Sequence, residues 1–183
     1  MATTYRLTDL GDLSGGFGYS HASAINASGE VVGYSFGGEL PGPRAFLWAD
    51  GAMIDLGVLP GGVDFSYAVD INDAGQVIGH SSSAAGTRAF LWQAGSMVDL
   101  GVLPAFSESS QAMGINNPGQ VIGESSNGLS SRIFRWEGGS MAALDELGDP
   151  TCFFRRTLTM RARSQAIGSS SRCDVRTCGA MAC

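Results

Sequence analysis

At 183 residues the chain is long enough for one domain with a substantial core and short for two. Gly takes 27 positions, roughly double the usual share, and only 15% of residues are charged; a disordered chain would be more charged and less apolar, so many short strands with tight turns are expected. There is no Lys, and residues 1–150 set sixteen acidic residues against five Arg, a net −11 that repels phosphate backbones and argues against a nucleic-acid partner.

The segment Met1 to Leu10 has neither the positive cluster nor the apolar stretch of a secretory leader, so no signal peptide is visible. No run approaches the about 20 apolar residues of a membrane helix, so no membrane span is expected. Tyr5 to Leu13 is the first element. Its Asp9-Leu10-Gly11-Asp12-Leu13 stands 46 residues before Asp55-Leu56-Gly57-Val58-Leu59. It therefore reads as the last strand of a partial copy, either cut from an array or placed to close a ring with the last copy.

Three copies of a repeat of about 44 residues follow, over about 21–66, 67–110 and 111–148. Ile25-Asn26-Ala27-Ser28-Gly29 recurs as Ile71-Asn72-Asp73-Ala74-Gly75 and as Ile115-Asn116-Asn117-Pro118-Gly119. Each is followed by an apolar pair and a Gly, then by Ala45-Phe46-Leu47-Trp48, Ala89-Phe90-Leu91-Trp92 or Ile133-Phe134-Arg135-Trp136, and then by Met53, Met97 or Met141. Each copy predicts four strands, which in the second run over 67–71, 76–81, 87–92 and 96–100. Asn and Gly supply the left-handed angles of a tight turn. That assigns Asn26, Gly29, Asn72, Gly75, Asn116 and Gly119 to the first hairpin of each copy.

The third strand is apolar at successive positions, which calls for burial on both faces. Phe46, Trp48, Phe90, Trp92, Phe134 and Trp136 are therefore expected in the core, packing one copy on the next. Four-stranded antiparallel sheets covered on both faces and repeated every 44 residues predict an all-β chain of β-propeller-like blades, partial or about four in number. A β-sandwich or a solenoid of hairpins is the alternative.

The pattern of apolar-Asn-x-x-Gly, Val-apolar-Gly, Ala-Phe-Leu-Trp and Asp-Leu-Gly resembles the HAF repeats of bacterial extracellular proteins, and the resemblance covers residues 5–148. It implies secretion and a β-rich repeat architecture, and it brings no catalytic residue with it. Arg44 and Arg88 stand where the family's namesake motif has His, and the third copy reads Arg132-Ile133-Phe134. A role resting on that His has no counterpart here.

After Gly148 the repeat fails where a fourth copy is due. Residues 151–183 reverse the charge, with six Arg and one Asp, and hold all four cysteines, Cys152, Cys173, Cys178 and Cys183. Plausible codons for Arg156–Met160 and Thr177–Cys183, shifted to the third base, permit stretches like Tyr67–Asp70 and Leu47–Met53. The tail thus reads as a frameshifted fourth copy, or as a disordered segment, ended by a chance stop. Four residues between successive members of the last three cysteines, and no His nearby, do not fit a zinc site.

Candidate chemistry elsewhere is sparse. Asp70-Ile71-Asn72-Asp73 has some look of a calcium loop, but Ala74 and Ser81 stand where ligands are needed. His21 and His80 fall in different phases of the repeat and read as surface or turn residues. The Arg before each third-strand motif would form a ring of evenly spaced cations, or pair with Asp50, Asp99 or Glu137. No metal, cofactor or catalytic residue is expected. The reading is a non-catalytic secreted binding or scaffold module for a protein or glycan. The alternatives are a non-functional fragment of a longer array, or an enzyme on a propeller scaffold.

Overall fold

A computed structural model describes residues 5–13, 16–37, 42–63 and 65–144. The chain divides after Glu146 into two units, and these residues all belong to the first; the tail readings for 151–183, cysteines included, lie outside them. The described residues are all-β, with no helix, and none therefore long and apolar enough to cross a membrane. Three antiparallel four-stranded sheets are formed, each a meander in strand order. The first holds β1 (Gly16–Ile25), β2 (Val31–Gly37), β3 (Arg44–Ala49) and β4 (Ala52–Gly57). The second holds β5 (Ser66–Ile71), β6 (Val77–Ser83), β7 (Gly86–Gln93) and β8 (Ser96–Asp99). The third holds β9 (Ser109–Ile115), β10 (Val121–Ser126), β11 (Ser131–Glu137) and β12 (Ser140–Ala143).

Strands β5 to β8 lie within two residues of their expected bounds. Two expectations are corrected. The first sheet begins at Gly16 rather than near 21, because Tyr19 and Ser20 already pair with Phe36 and Ser35. Tyr5–Leu13 is not a strand, and Tyr5 and Leu7 are 88% and 97% exposed. An outer strand must pair with a third strand, and the described residues offer this segment none.

The end of that segment nevertheless docks as its counterparts do. Gly11 O accepts from Ser20 Oγ at 2.8 Å, as Gly57 O accepts from Ser66 Oγ and Gly101 O from Ser110 Oγ, both at 2.6 Å. Leu13 N donates to Ser35 Oγ, Leu59 N to Ser81 Oγ and Leu103 N to Ser125 Oγ, at 3.0–3.2 Å. Ser35, Ser66, Ser81, Ser110 and Ser125 are all buried. A buried hydroxyl is costly without a partner, so these serines fix where each connecting segment crosses onto the following sheet.

The third strands alternate their faces as their sequence requires. Ala45 and Leu47 join Phe90 and Val77 in one core between the first and second sheets, with Trp92 packed on it. Ala89 and Ile78 join Phe134 and Val121 in a second core between the second and third sheets, with Trp136 packed on it. Phe46, Phe90 and Phe134 are at most 1% exposed, worth about 2–3 kcal/mol each in apolar burial.

Each Phe lies across from a strand glycine, Gly33, Gly79 or Gly123. A Cβ at Gly79 would stand 1.8 Å from Tyr67 O and 2.8 Å from Phe90 Cζ. The glycine is there because the ring occupies the space of a side chain. Opposite it, each first strand carries the same bulge, at Ser23, Val69 and Met113.

Candidate functional site

The predicted turn residues do more than turn. Asn26, Asn72 and Asn116 close their hairpins with Gly29, Gly75 and Gly119 at φ of 83°, 72° and 84°. The Asn72 side-chain oxygen accepts from Ala74 N at 3.1 Å and Gln76 N at 3.0 Å. Its amide donates to Gln76 Oε1 at 2.7 Å and, across to the third sheet, to Asn116 O at 3.0 Å. Asn26 makes the same rung to Asn72 O at 3.1 Å. An asparagine ladder thus runs from sheet to sheet.

The next residues form a second ladder. Asp73 accepts from Ala27 N at 2.9 Å and from Asn117 Nδ2 at 2.7 Å. These bonds, the Ala27 amide first, hold its carboxyl below the usual range. Asp70 accepts from Ile71 N and from Ile115 N of the third sheet. The oxygens that gave this loop its calcium-like look are thus turned to N–H groups. Among the described residues no group of three or more His, Cys, Asp or Glu is placed to hold a metal.

The Arg series is not an even ring of surface cations. Arg88 is 8% exposed, and its guanidinium donates to Glu108 O at 2.8 Å and Ser107 O at 3.2 Å, clasping β7 to the segment that enters β9. Arg44 lies 3.4 Å from Asp55 rather than against Asp50. Arg132 stands over the Phe106 ring at 5.4 Å, beside a 470 Å³ groove that also takes in Leu103 and Met141. Glu137 pairs with Arg135. The three arginines differ in partner: Arg44 turns to β4 of its own sheet, Arg88 to the segment that follows its sheet, and Arg132 to Phe106 in the segment that precedes its sheet.

Two paired columns in which the copies disagree lie on the first two strands of each sheet. His21 and Tyr34 face each other across β1 and β2, Tyr67 and His80 across β5 and β6, and Gln111 and Glu124 across β9 and β10. The histidines do occupy different phases, but each completes the same cross-strand pair with a tyrosine in the other's place. His21–Tyr34 ring centroids are 5.1 Å apart, and Tyr67–His80 rings stack at 5.1 Å. Tyr34 meets Tyr67 edge-on at 4.8 Å and so joins the first sheet to the second. Tyr19 and Phe36 extend the row at one end, with Tyr19–Phe36 at 5.4 Å and Phe36–Tyr34 at 6.0 Å. Phe65 extends it beside Tyr67 at 5.6 Å.

Seven rings thus form a continuous strip over two sheets. Tyr19 and Phe36 are 52% and 38% exposed. In the third sheet the same four columns hold Ser109, Gln111, Glu124 and Ser126, which line a 230 Å³ pocket. An aromatic floor thus gives way to a polar recess along one line of the fold.

Burial disfavours the charged form of His80 and lowers its pKa below the ordinary value, and its buried Nδ1 has no hydrogen-bond partner. Desolvation, and then the neighbouring Tyr19 hydroxyl, raise the pKa of Tyr34. Both shifts favour the neutral forms of His80 and Tyr34. Sequence reasoning missed the strip because attention went to what recurs. The signal lay in the same 46- and 44-residue spacing, at the columns 21, 67, 111 and 34, 80, 124 where the residue type changes.

A comparison of the chain with known protein families, with curated proteins and with solved structures finds no match.

Proposed function

We propose that the chain is a non-catalytic binding module, in which propeller-like blades hold a fixed scaffold and the strip from Tyr19 to Glu124 takes the ligand. The observation that carries this is the contrast between columns. The turn Asn and Gly, the buried third-strand Phe and the serines that hold the connecting segments repeat with the copy, whereas the pairs His21–Tyr34, Tyr67–His80 and Gln111–Glu124 do not. A scaffold needs the former, and recognition works through the latter, since rigid elements that present variable side chains are how repeat folds bind.

The blade arrangement is supported by each core lying between successive sheets, and by β1 meeting β5 and β5 meeting β9 as inner strands around an axis do. The resemblance to HAF repeats supports an extracellular setting.

The test uses the tyrosines as reporters, since the chain has four and three of them, Tyr19, Tyr34 and Tyr67, belong to the strip. The full 183-residue protein is labelled with 3-fluorotyrosine and titrated with neutral and acidic oligosaccharides, a proline-rich peptide and anionic vesicles. A binding module predicts saturable shifts of those three fluorine resonances, with the exposed Tyr5 unmoved. Shifts confined to Tyr5, or none with any probe, overturn the assignment of the strip.

A further inference from the structure

Resting on that binding-site reading, we infer that the strip takes a neutral oligosaccharide, with sugar rings laid on the aromatic row and the hydroxyls of a terminal sugar held by Gln111 and Glu124. The rings are linked in a chain, with centroid steps of 5.4, 6.0, 4.8 and 5.6 Å from Tyr19 through Phe36, Tyr34 and Tyr67 to Phe65, which stands on the second sheet where Tyr19 stands on the first. A cage for an organic cation needs faces turned toward one centre. Here Tyr67 and His80 spend a face on each other, whereas a sugar needs only one exposed ring face.

The ligand must cover half-exposed aromatic surface and yet satisfy the polar groups that take its place on the next sheet. A sugar ring does both, since its C–H face is apolar and its rim carries hydroxyls that donate and accept. The recess sharpens the choice. Gln111 offers an amide donor and a carbonyl acceptor, Glu124 offers a carboxylate and Ser109 a hydroxyl, while the Ser126 hydroxyl donates to Ser130 O. Vicinal hydroxyls can donate to Glu124 and Gln111 Oε1 while accepting from Gln111 Nε2.

A proline-rich strand would also lie on aromatic rings. Its proline units bring carbonyl acceptors and no N–H, and so would set oxygen against the Glu124 carboxylate. An anionic glycan is opposed by the same carboxylate and by the sixteen acidic residues of 1–150. At 230 Å³ the recess is below the roughly 300–1,000 Å³ of pockets that enclose a whole ligand. It fits one end of a chain whose remainder lies along the open strip.

The test is isothermal titration of the full-length protein with cellohexaose, xylohexaose, mannohexaose and chitohexaose, beside hexagalacturonate and a proline-rich decapeptide. At least one neutral hexasaccharide is expected to bind saturably. Tyr67→Ala should weaken it about tenfold, the worth of one aromatic stacking contact. Tyr67 is half-buried, so Tyr19→Ala and Gln111→Ala, at exposed positions, are the companion variants, each checked for a native melting curve. Both should weaken the hexasaccharide. Binding that ignores all three variants overturns the inference, as does failure of every neutral hexasaccharide. If in the latter case the peptide still moves the fluorine resonances of Tyr19, Tyr34 and Tyr67, the binding site survives and the sugar does not. If nothing moves them, both fall.

Discussion

Asn72 is 3% exposed and makes four side-chain hydrogen bonds, two inside its hairpin to backbone N–H groups, one to Gln76 and one to the carbonyl of Asn116 in the next sheet. Asn72→Ala deletes all four and leaves two backbone donors to find water. At about 1 kcal/mol for each net bond, and more for a donor left buried, the loss comes to about 4 kcal/mol. That is a large part of the about 5–15 kcal/mol that holds a domain folded. Asn116→Ala is the internal control: its side-chain oxygen accepts from Gln120 N and its amide donates to Gln120, but Pro118 has no N–H to offer. Its expected loss is about 2 kcal/mol. Asn72→Asp separates turn from rung, because the carboxylate keeps the two turn acceptors while setting oxygen against Asn116 O. Urea unfolding followed by Trp fluorescence reads all three, with an expected midpoint order of Asn72→Ala lowest, Asn72→Asp between and Asn116→Ala highest. Equal losses for Asn72→Ala and Asn116→Ala would refute the ladder and leave only a turn.

Gly79→Ala should cost about 3 kcal/mol or more, because the new methyl meets the Tyr67 carbonyl and the Phe90 ring; Gly95→Ala, with nothing within 4 Å, should cost about 1 kcal/mol from its backbone angle alone, and thermal melting distinguishes the two. His80 predicts a pH slope. Its pKa is lower folded than unfolded, so the unfolded chain takes the proton first. The stabilisation is full above about pH 6.5 and is lost as the pH falls from there through the folded value. Urea midpoints from pH 8 to 5 should fall accordingly, and His80→Gln should flatten that limb. Arg88→Lys keeps the charge but cannot reach two carbonyls in a fork; a melting temperature several degrees below wild type is expected, whereas an unchanged one would show that the clasp to Ser107 and Glu108 adds nothing.

What the sequence made legible was whatever obeys a short-range rule. Asn-x-x-Gly dictates a hairpin from backbone angles alone, and the apolar run Ala89 to Trp92 dictates burial on two faces, so the first hairpin of each sheet, the strands β5 to β8 and the buried Phe residues lie close to where spacing put them. The serine and asparagine contacts between sheets depend on which sheet lies beside which, and no local pattern states that. Arg88 was misread for the same reason: its partners are backbone carbonyls 19 and 20 residues on, and backbone carbonyls leave no mark in a sequence. The strip was hidden differently, since a search for repetition discards the columns that vary. His21 and His80 seemed unrelated until strand pairing set each opposite a tyrosine.

The central claim is that the cross-strand pairs His21–Tyr34, Tyr67–His80 and Gln111–Glu124 serve binding and not the fold. It is tested most directly by giving the second copy the third copy's pair, with Tyr67→Gln and His80→Glu made together. Thermal melting and the fluorine spectrum of 3-fluorotyrosine at Tyr19 and Tyr34 are read on the same sample. The account predicts a cooperative melt within about 4 °C of wild type, the shift of roughly 1 kcal/mol, with the ligand-induced shifts at Tyr34 gone. A double variant that fails to fold would contradict it, because the strip would then be core and not a face kept for a partner.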